Sequence, residues 1–245
     1  MTISPLPSAR PRGGERGGER GERPTLEALR ERMQGMQEGL PRLPLPMPAE
    51  LAGLVQLRTG GAYRVDDPGL LLTLLAAPSV AGGWSALVGV DDLGVEAAEE
   101  AGLDLGRTVL VPAPGPDWLE VTAALVDVVP VVVLRPPAGV PEAALARTAS
   151  RLAARLRKRA GTLLVQGPWP GCEARLELAE QQWLGPEAGH GRLTARRVQV
   201  RVRRGSAPPR TASLWLPAPD GACRDPESVS TGSTIGSSAN EEQAG

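Results

Sequence analysis

Phenylalanine is absent from the 245-residue sequence, and its aromatic residues are five tryptophans and a single tyrosine, Tyr63. The core must therefore be built from leucine, valine and alanine, and must gain its stability from many small contacts. The two cysteines, Cys172 and Cys223, are widely separated and show neither a disulfide framework nor a metal-binding spacing. We expect no metal, no other cofactor and a location in a reducing cytoplasm.

Long apolar runs are also absent. The N-terminus has no apolar signal region, and proline, glycine or charge interrupts each apolar run well short of a membrane span. Hydrophobic residues nevertheless make up 41% of the chain, which is enough for a real core. These features predict a soluble intracellular protein that makes no contact with a membrane.

Lysine is nearly absent, so the positive charge is almost all arginine. The formal net charge is −1, but the charges are unevenly distributed. Residues 91–120 hold eight carboxylates against one arginine, whereas residues 151–210 hold thirteen arginines and lysines against four glutamates. The basic half could meet an acidic protein or nucleic acid, and an ordinary solvated surface explains it equally well.

The two ends of the chain are poor in apolar residues. Residues 1–24 contain a tandem Gly-Gly-Glu-Arg repeat and residues 218–245 are mostly small or polar, so both are predicted to be disordered tails. Residues 25–48 are predicted to form a helix, from Thr25 to about Gln37, followed by a proline-rich extended linker. The folded domain is predicted over residues 49–217.

Within the predicted domain, short apolar runs alternate with longer amphipathic ones. Predicted strands lie at 61–65, 85–90, 108–112, 130–134 and 162–166, and predicted helices at 68–77, 94–102, 116–127 and 141–160. Strands that are apolar on both faces, such as Val131–Leu134, are typical of a parallel sheet covered by helices. The runs at 174–179, 195–204 and 211–216 alternate instead, as half-exposed strands do. This order predicts an α/β fold: a mostly parallel, doubly wound sheet with an antiparallel C-terminal extension.

The turn after the first predicted strand lacks the residues of a phosphate-binding loop. It contains no Gly-Lys-Ser/Thr, and Asp66 and Asp67 would repel a phosphate. Adjacent carboxylates before Pro-Gly are expected to cap the next helix rather than to hold a metal ion.

The pattern nevertheless resembles the core of the RecA recombinases over roughly residues 50–205. The matching stretches are Gly60-Gly61, Ser85–Asp92, Ala101–Arg107, Val109–Gly115 and Val126–Leu134. The resemblance implies a RecA-like fold but not its chemistry. Where the family has a magnesium-binding aspartate this chain has Leu134-Arg135-Pro136-Pro137, and Val90 or Asp91 stands where the catalytic glutamate is expected. Since phosphoryl transfer needs positioning, a metal ion and charge neutralisation together, the chain is expected to be a pseudo-ATPase and not an enzyme.

Among RecA relatives, the chain looks most like the ImuA-type proteins, especially their diverged actinobacterial form. The supporting segments are Leu57–Gly61, Val133–Pro137 and Gly189–Arg197. The resemblance implies a non-catalytic adaptor in DNA-damage tolerance. Its expected partners are a replicative-type error-prone polymerase and a Y-family-like subunit, with weak DNA contact and self-association left open. The alternative is a nucleotide-dependent RecA-like ATPase or a DNA-binding recombination factor. That function would need a cation at the 65–70 turn, where only Arg64 is near in sequence.

Three arginines are candidate binding residues in the parallel part of the fold. Arg135 follows a central strand, at the edge where open α/β sheets bind their ligands, and could hold an anion or be a surface residue fixed by the next two prolines. Arg151 and Arg155 follow i, i+4 spacing on the predicted helix 141–160, where a solvated outer face is the simpler interpretation.

Three further candidates for binding a partner or nucleic acid alternate along one predicted strand: Arg197, Arg201 and Arg203. Guanidiniums on one strand face repel one another unless an acidic partner or a phosphate backbone is near. Two tryptophans, Trp183 and Trp215, are either interface anchors or core residues.

Overall fold

The computed structural model describes residues 40–185, 193–218 and 220–228. Its strands are β1 (Ala62–Val65), β2 (Ser85–Val88), β3 (Thr108–Val111), β4 (Val131–Leu134), β5 (Thr162–Val165), β6 (Ala174–Leu184), β7 (Ala195–Arg203) and β8 (Arg210–Trp215). Its α-helices are α1 (Ala49–Ala52), α2 (Pro68–Val80), α3 (Val95–Glu100), α4 (Trp118–Val126) and α5 (Glu142–Arg159). Short 3-10 turns occupy Leu105–Arg107, Gly115–Asp117 and Pro226–Ser228. The predicted tail at 1–24, the predicted helix from Thr25 and residues 229–245 lie outside the described residues.

The strands form one sheet in the order β3-β2-β4-β5-β1-β6-β7-β8. Neighbours from β3 to β6 are parallel, and β6, β7 and β8 are antiparallel. The four connections from β1 to β5 along the chain each contain a helix, whereas β5 reaches β6 through residues 166–173 without one. The predicted α/β sheet with an antiparallel C-terminal extension is confirmed.

The central strands are apolar on both faces because each face packs against its own helices. Leu87, Val131 and Val133 face a core that also contains the buried leucines of α1 and α2. Their neighbours Ala86 and Val132 face a second core, built with side chains of α4 and α5. In α5 the buried residues recur at helical spacing and the basic side chains face solvent. Among the described residues, no helix combines the length and hydrophobicity needed to cross a bilayer.

The N-terminal boundary of the domain lies earlier than predicted. Residues 40–48 are extended, as their prolines indicate, but they do not form a free linker. Leu45 is buried, and its backbone N–H donates to the carbonyl of Leu57. Arg42 forms an ion pair with Glu173 at the start of β6. Proline spacing shows extension but cannot show which side chain packs against the sheet.

The C-terminal boundary lies later than predicted. Ala218 is buried, and the backbones of Trp215 and Arg224 exchange two hydrogen bonds. Cys223 packs against the first core, so a tail that starts at residue 218 is wrong for the segment up to Ser228. Strand β6 is also longer than the predicted 174–179, because a register shift between Leu178 and Glu180 interrupts its alternation without ending its pairing with β7.

Candidate functional site

The carboxyl ends of the parallel strands meet at one edge of the sheet, where open α/β folds place their ligands. The β6–β7 hairpin extends beyond this edge. β6 pairs in parallel with β1, and the last residue of β1, Val65, lies opposite Leu176. β6 then continues to Leu184 and pairs with β7 up to Ala195. The hairpin therefore carries the first residues of β7 over the start of α2.

Two carboxylates, those of Asp66 and Asp67, fix the turn from β1 to α2 through hydrogen bonds. Asp66 accepts hydrogen bonds from the Arg64 Nε at 2.9 Å and from the backbone N–H of Gly167 at 3.1 Å. Asp67 is the N-cap of α2, where its Oδ1 accepts from the Leu70 N–H at 2.7 Å. Asp67 therefore caps the helix as predicted, whereas Asp66 joins β1 to the loop after β5.

Arg196 of β7 closes the start of α2. Its Nη1 and Nη2 each donate to one carboxylate oxygen of Asp67 at 3.0 Å, and its Nε donates to the Leu216 carbonyl at 2.8 Å. The Arg196 side chain is only 8% exposed. A Cβ atom added at Gly69 would lie 2.7 Å from Nη2, so the guanidinium lies directly against the first turn of the helix.

An internal ion pair thus occupies the start of α2. In a nucleotide-binding sheet the free N–H groups of this helix turn hold a phosphate. Here the Asp67 carboxylate takes the place of an anion, and Arg196 neutralises it. A phosphate that approached α2 would have to displace a bidentate, desolvated ion pair.

Arg135 joins the ends of three strands. Leu134 pairs with Val88 on one side and Val165 on the other, so the next residue lies between the loops after β2 and β5. The Arg135 guanidinium contacts the carboxylates of Asp91 at 3.2 Å and Asp92 at 2.8 Å, and the Gln166 Oε1 at 3.0 Å.

The carboxylates around Arg135 outnumber its single positive charge. The hydrogen bond from Arg135 lowers the pKa of the Asp92 carboxyl, and both aspartates are well exposed. An incoming anion would meet net negative charge here. Arg135 is therefore better suited to linking the ends of the strands than to binding an anion. A shallow cavity of about 380 Å3 beside it is lined in part by prolines 112, 114, 136 and 137.

The candidate arginines of β7 lie on the outer face of the antiparallel extension, where no described helix covers them. Arg197 and Arg203 are exposed and Arg201 is partly exposed. Glu177 of β6 lies opposite Arg201 in register, and its Oε2 is 3.8 Å from the Arg203 Nε. One carboxylate therefore relieves part of the repulsion that the strand pattern predicts.

The two candidates on α5, Arg151 and Arg155, are exposed. They lie on a different element from the arginines of β7. The Nε of Arg155 lies 3.6 Å from the Asp127 Oδ1, and Arg151 has no ion pair with another described residue. The structure does not bring Arg135, the α5 pair and the β7 face together through any contact among the described residues.

Arg196 is the residue of this site that sequence reasoning missed. A signal was present, because counting back from Val198 and Val200 in steps of two places Arg196 on the buried face of β7. Of the two tryptophans left open, Trp215 is buried and Trp183 is 44% exposed. The Arg196 guanidinium stacks on the Trp183 ring at 5.2 Å from its centroid.

Three comparisons place the fold among known proteins. Residues 50–171 match the family model described as the MT3502 N-terminal domain. Rv3395c, an uncharacterized protein of Mycobacterium tuberculosis, is 38% identical over 143 residues, which are 55% of this chain and 68% of that protein. A crystal structure of the RadB recombinase aligns with a TM-score of 0.52 at 17% identity, over 72% of this chain and 96% of that one. The last likeness is one of fold, and it confirms the predicted RecA-like architecture.

Proposed function

The chain belongs to the MT3502 family, and from its RecA-like fold and its closed nucleotide site we propose that it is a non-catalytic adaptor. The observation that carries the proposal is the ion pair between Asp67 and Arg196 at the start of α2. A RecA-like sheet with this turn retains its fold but not a binding site for a phosphate. Its surfaces are then free to serve protein partners.

The adaptor is proposed to act in DNA-damage tolerance, as an ImuA-type accessory protein. The segments Leu57–Gly61 and Val133–Pro137 support this assignment. Its proposed partners are a Y-family-like subunit and a replicative-type error-prone polymerase. The outer face of β6 to β8 is a proposed contact surface, because it is uncovered and carries more arginines than carboxylates.

The alternative, a nucleotide-dependent ATPase or recombination factor, needs a cation free to reach a phosphate at the β1–α2 turn. Arg64 is the local candidate, and its guanidinium already pairs with Asp66 at 2.8 Å. Arg196 is the other cation at this turn, and it pairs with Asp67. No described cation at the turn supports the alternative.

A nucleotide-binding measurement tests the non-catalytic half of the proposal. We expect isothermal titration of the full chain with ATP and Mg²⁺ to give no micromolar binding, and a phosphate-release assay to give no turnover. A protein with established ATPase activity is the positive control. Turnover that disappears in Arg64→Ala would establish the ATPase instead.

A cell-based measurement tests the adaptor half. We expect deletion of the gene to reduce damage-induced mutagenesis, and Arg197→Glu/Arg201→Glu/Arg203→Glu to restore it poorly while the protein stays folded. The matched control reverses three charges on α5 outside the candidate residues, with Arg147, Arg157 and Lys158 changed to glutamate. Full mutagenesis with the β7 variant would remove this face from the proposal, and unchanged mutagenesis in the deletion would remove the role in damage tolerance.

A further inference from the structure

A cavity of about 540 Å3 opens beside the closed start of α2. It lies between that helix, the end of α3, the start of β7 and the turn after β8. Its volume falls within the roughly 300–1,000 Å3 that is usual for binding pockets. None of the roles described above uses it.

The lining of the cavity combines apolar and polar surface, and its charged groups are negative. Its apolar residues include Leu72, Leu193, Leu216 and Ala97. The hydroxyls of the two lining threonines already donate to the carbonyls of Gly69 and Leu184. The ionisable lining side chains are both carboxylates, those of Glu100 and Asp220, and no described lysine or arginine belongs to the lining.

The two carboxylates differ in how many partners they already have. Asp220 accepts from the backbone N–H of Ala222 at 3.1 Å and from Arg224 at 2.9 Å. Glu100 is exposed and forms no ion pair with a described residue. Helix α3 carries two further glutamates, Glu96 and Glu99, and no basic residue. The mouth of the cavity on this side therefore attracts positive charge and repels phosphate.

Two exposed apolar side chains, Leu193 and Trp183, lie in the lining or close to it. Leu193 is 51% exposed in the lining itself. Trp183 stacks on Arg196, whose guanidinium lies against Gly69 of the lining. Because the bidentate pair with Asp67 fixes Arg196, the tryptophan is held in place before any partner arrives. Exposed tryptophans held in this way are typical of energetic hot spots in interfaces.

We propose that this cavity docks a protein segment in which a large apolar side chain is flanked by arginine or lysine. The apolar side chain would fill the space between Leu72, Leu193 and Leu216, and a flanking cation would pair with Glu100. Charge complementarity favours this partner over nucleic acid, since a phosphate backbone would face α3. The inference rests on the proposed adaptor function, because it assigns a site to one of the adaptor's protein partners.

A selection from random peptides tests the site without any polymerase protein. The immobilised full chain is exposed to a displayed library of random twelve-residue peptides, and an enriched peptide is synthesised with a fluorescent label. We expect the enriched peptides to combine a Leu, Phe or Trp with neighbouring Arg or Lys. Fluorescence anisotropy then compares the affinity of that peptide for the wild type and for three variants.

The variants include a matched charge control. Glu100→Arg reverses the charge at the mouth, Ala97→Trp fills the cavity from an exposed position of α3, and Glu120→Arg makes the same charge change at an exposed position of α4, outside the lining and outside α3. We expect the first two to weaken binding at least about tenfold and Glu120→Arg to change it by less than about twofold. Thermal melting checks that each variant is folded. If Ala97→Trp does not fold, the result for Glu100→Arg decides the test.

Three outcomes would overturn the inference: enrichment of acidic peptides, equal binding by wild type and Glu100→Arg, or no saturable binder. Each can occur while the mutagenesis experiment still supports the adaptor. A failed cavity is thereby distinguished from a failed function.

Discussion

Arg196 combines burial, charge and a long-range contact, so its replacement is the most informative change at a single residue. Removal of its guanidinium leaves the Asp67 carboxylate, 16% exposed, without its bidentate partner. We expect Arg196→Met to lower the free energy of unfolding by about 3 kcal/mol, as when one partner of a buried ion pair is removed. Urea denaturation measures this loss.

The neighbouring residue supplies the control for that prediction. Arg197→Met changes the same side chain at an exposed position, and its cost should stay below about 0.5 kcal/mol. Adding Asp67→Asn to Arg196→Met should recover part of the stability, because asparagine keeps the helix cap and removes the unpaired charge. Equal costs for Arg196→Met and Arg197→Met would contradict the closed site.

Cys223 reports on the packing of the segment after β8. Burial raises the pKa of its thiol from the ordinary 9.0 to about 12, and the carboxylates of Glu50 and Asp225 act in the same direction. Because the thiolate is the reactive form, this shift lowers its population at pH 8 by roughly a thousandfold. In a Cys172→Ala background, we expect iodoacetamide to label Cys223 far more slowly in the folded protein than in urea. Similar rates in both states would mean that the segment does not cover the thiol.

At the scale of elements, β2 and β4 are held together where Gly89 approaches Arg135. Gly89 has φ +75°, and a Cβ atom there would overlap the carbonyl oxygen of Arg135. Gly139 has nearly the same backbone conformation, φ +80°, and a Cβ atom there would meet nothing within 4 Å. A comparison of alanine substitutions at the two glycines therefore distinguishes the cost of backbone strain from the cost of steric overlap.

We expect Gly139→Ala to cost about 1 kcal/mol, from the left-handed backbone alone. Gly89→Ala should cost about 3 kcal/mol or more, because the overlap with a backbone atom adds to the same strain. Chemical denaturation of both variants gives the difference directly. Equal costs would show that the end of β4 can move away from the turn after β2.

The elements were predictable from the sequence where one physical pattern dominates. Apolar runs and helical spacing placed β1 to β5 and α2 to α5 within a few residues. The signal is clearest at β2, β4 and β5, where every residue is buried. The extension of β6 beyond the sheet edge was not predictable in the same way, since the register shift after Leu178 breaks its alternation. The partner of Arg196 was also hidden, because Asp67 lies 129 residues away and meets it only through that extension.

Across the sheet, the order of the strands places β3, which lies within the acidic stretch 91–120, at one edge and β7 with its arginines next to the other edge. Helix α3 of the same acidic stretch reaches the cavity beside the start of β7. The proposed adaptor could therefore offer surfaces of opposite sign to different partners. The proposed cavity, bounded by α3 and by the β6–β7 hairpin, lies where acidic and apolar surfaces meet.

The extent of the folded domain gives the last prediction. Truncation after Ser228 removes a segment whose larger apolar residues are Val229 and Ile235, and we expect the melting temperature to change by no more than about a degree. Truncation after Pro217 also removes Ala218, which is 0% exposed, and the backbone hydrogen bonds between Arg224 and Trp215. It uncovers the Trp215 side chain and the part of the first core that Cys223 contacts. Since a loss of about 1 kcal/mol lowers the melting temperature of a domain of this size by roughly 2–4 °C, the longer truncation should lower it by several degrees. Differential scanning calorimetry of the two truncated chains measures both values, and equal melting temperatures would return the boundary to residue 217.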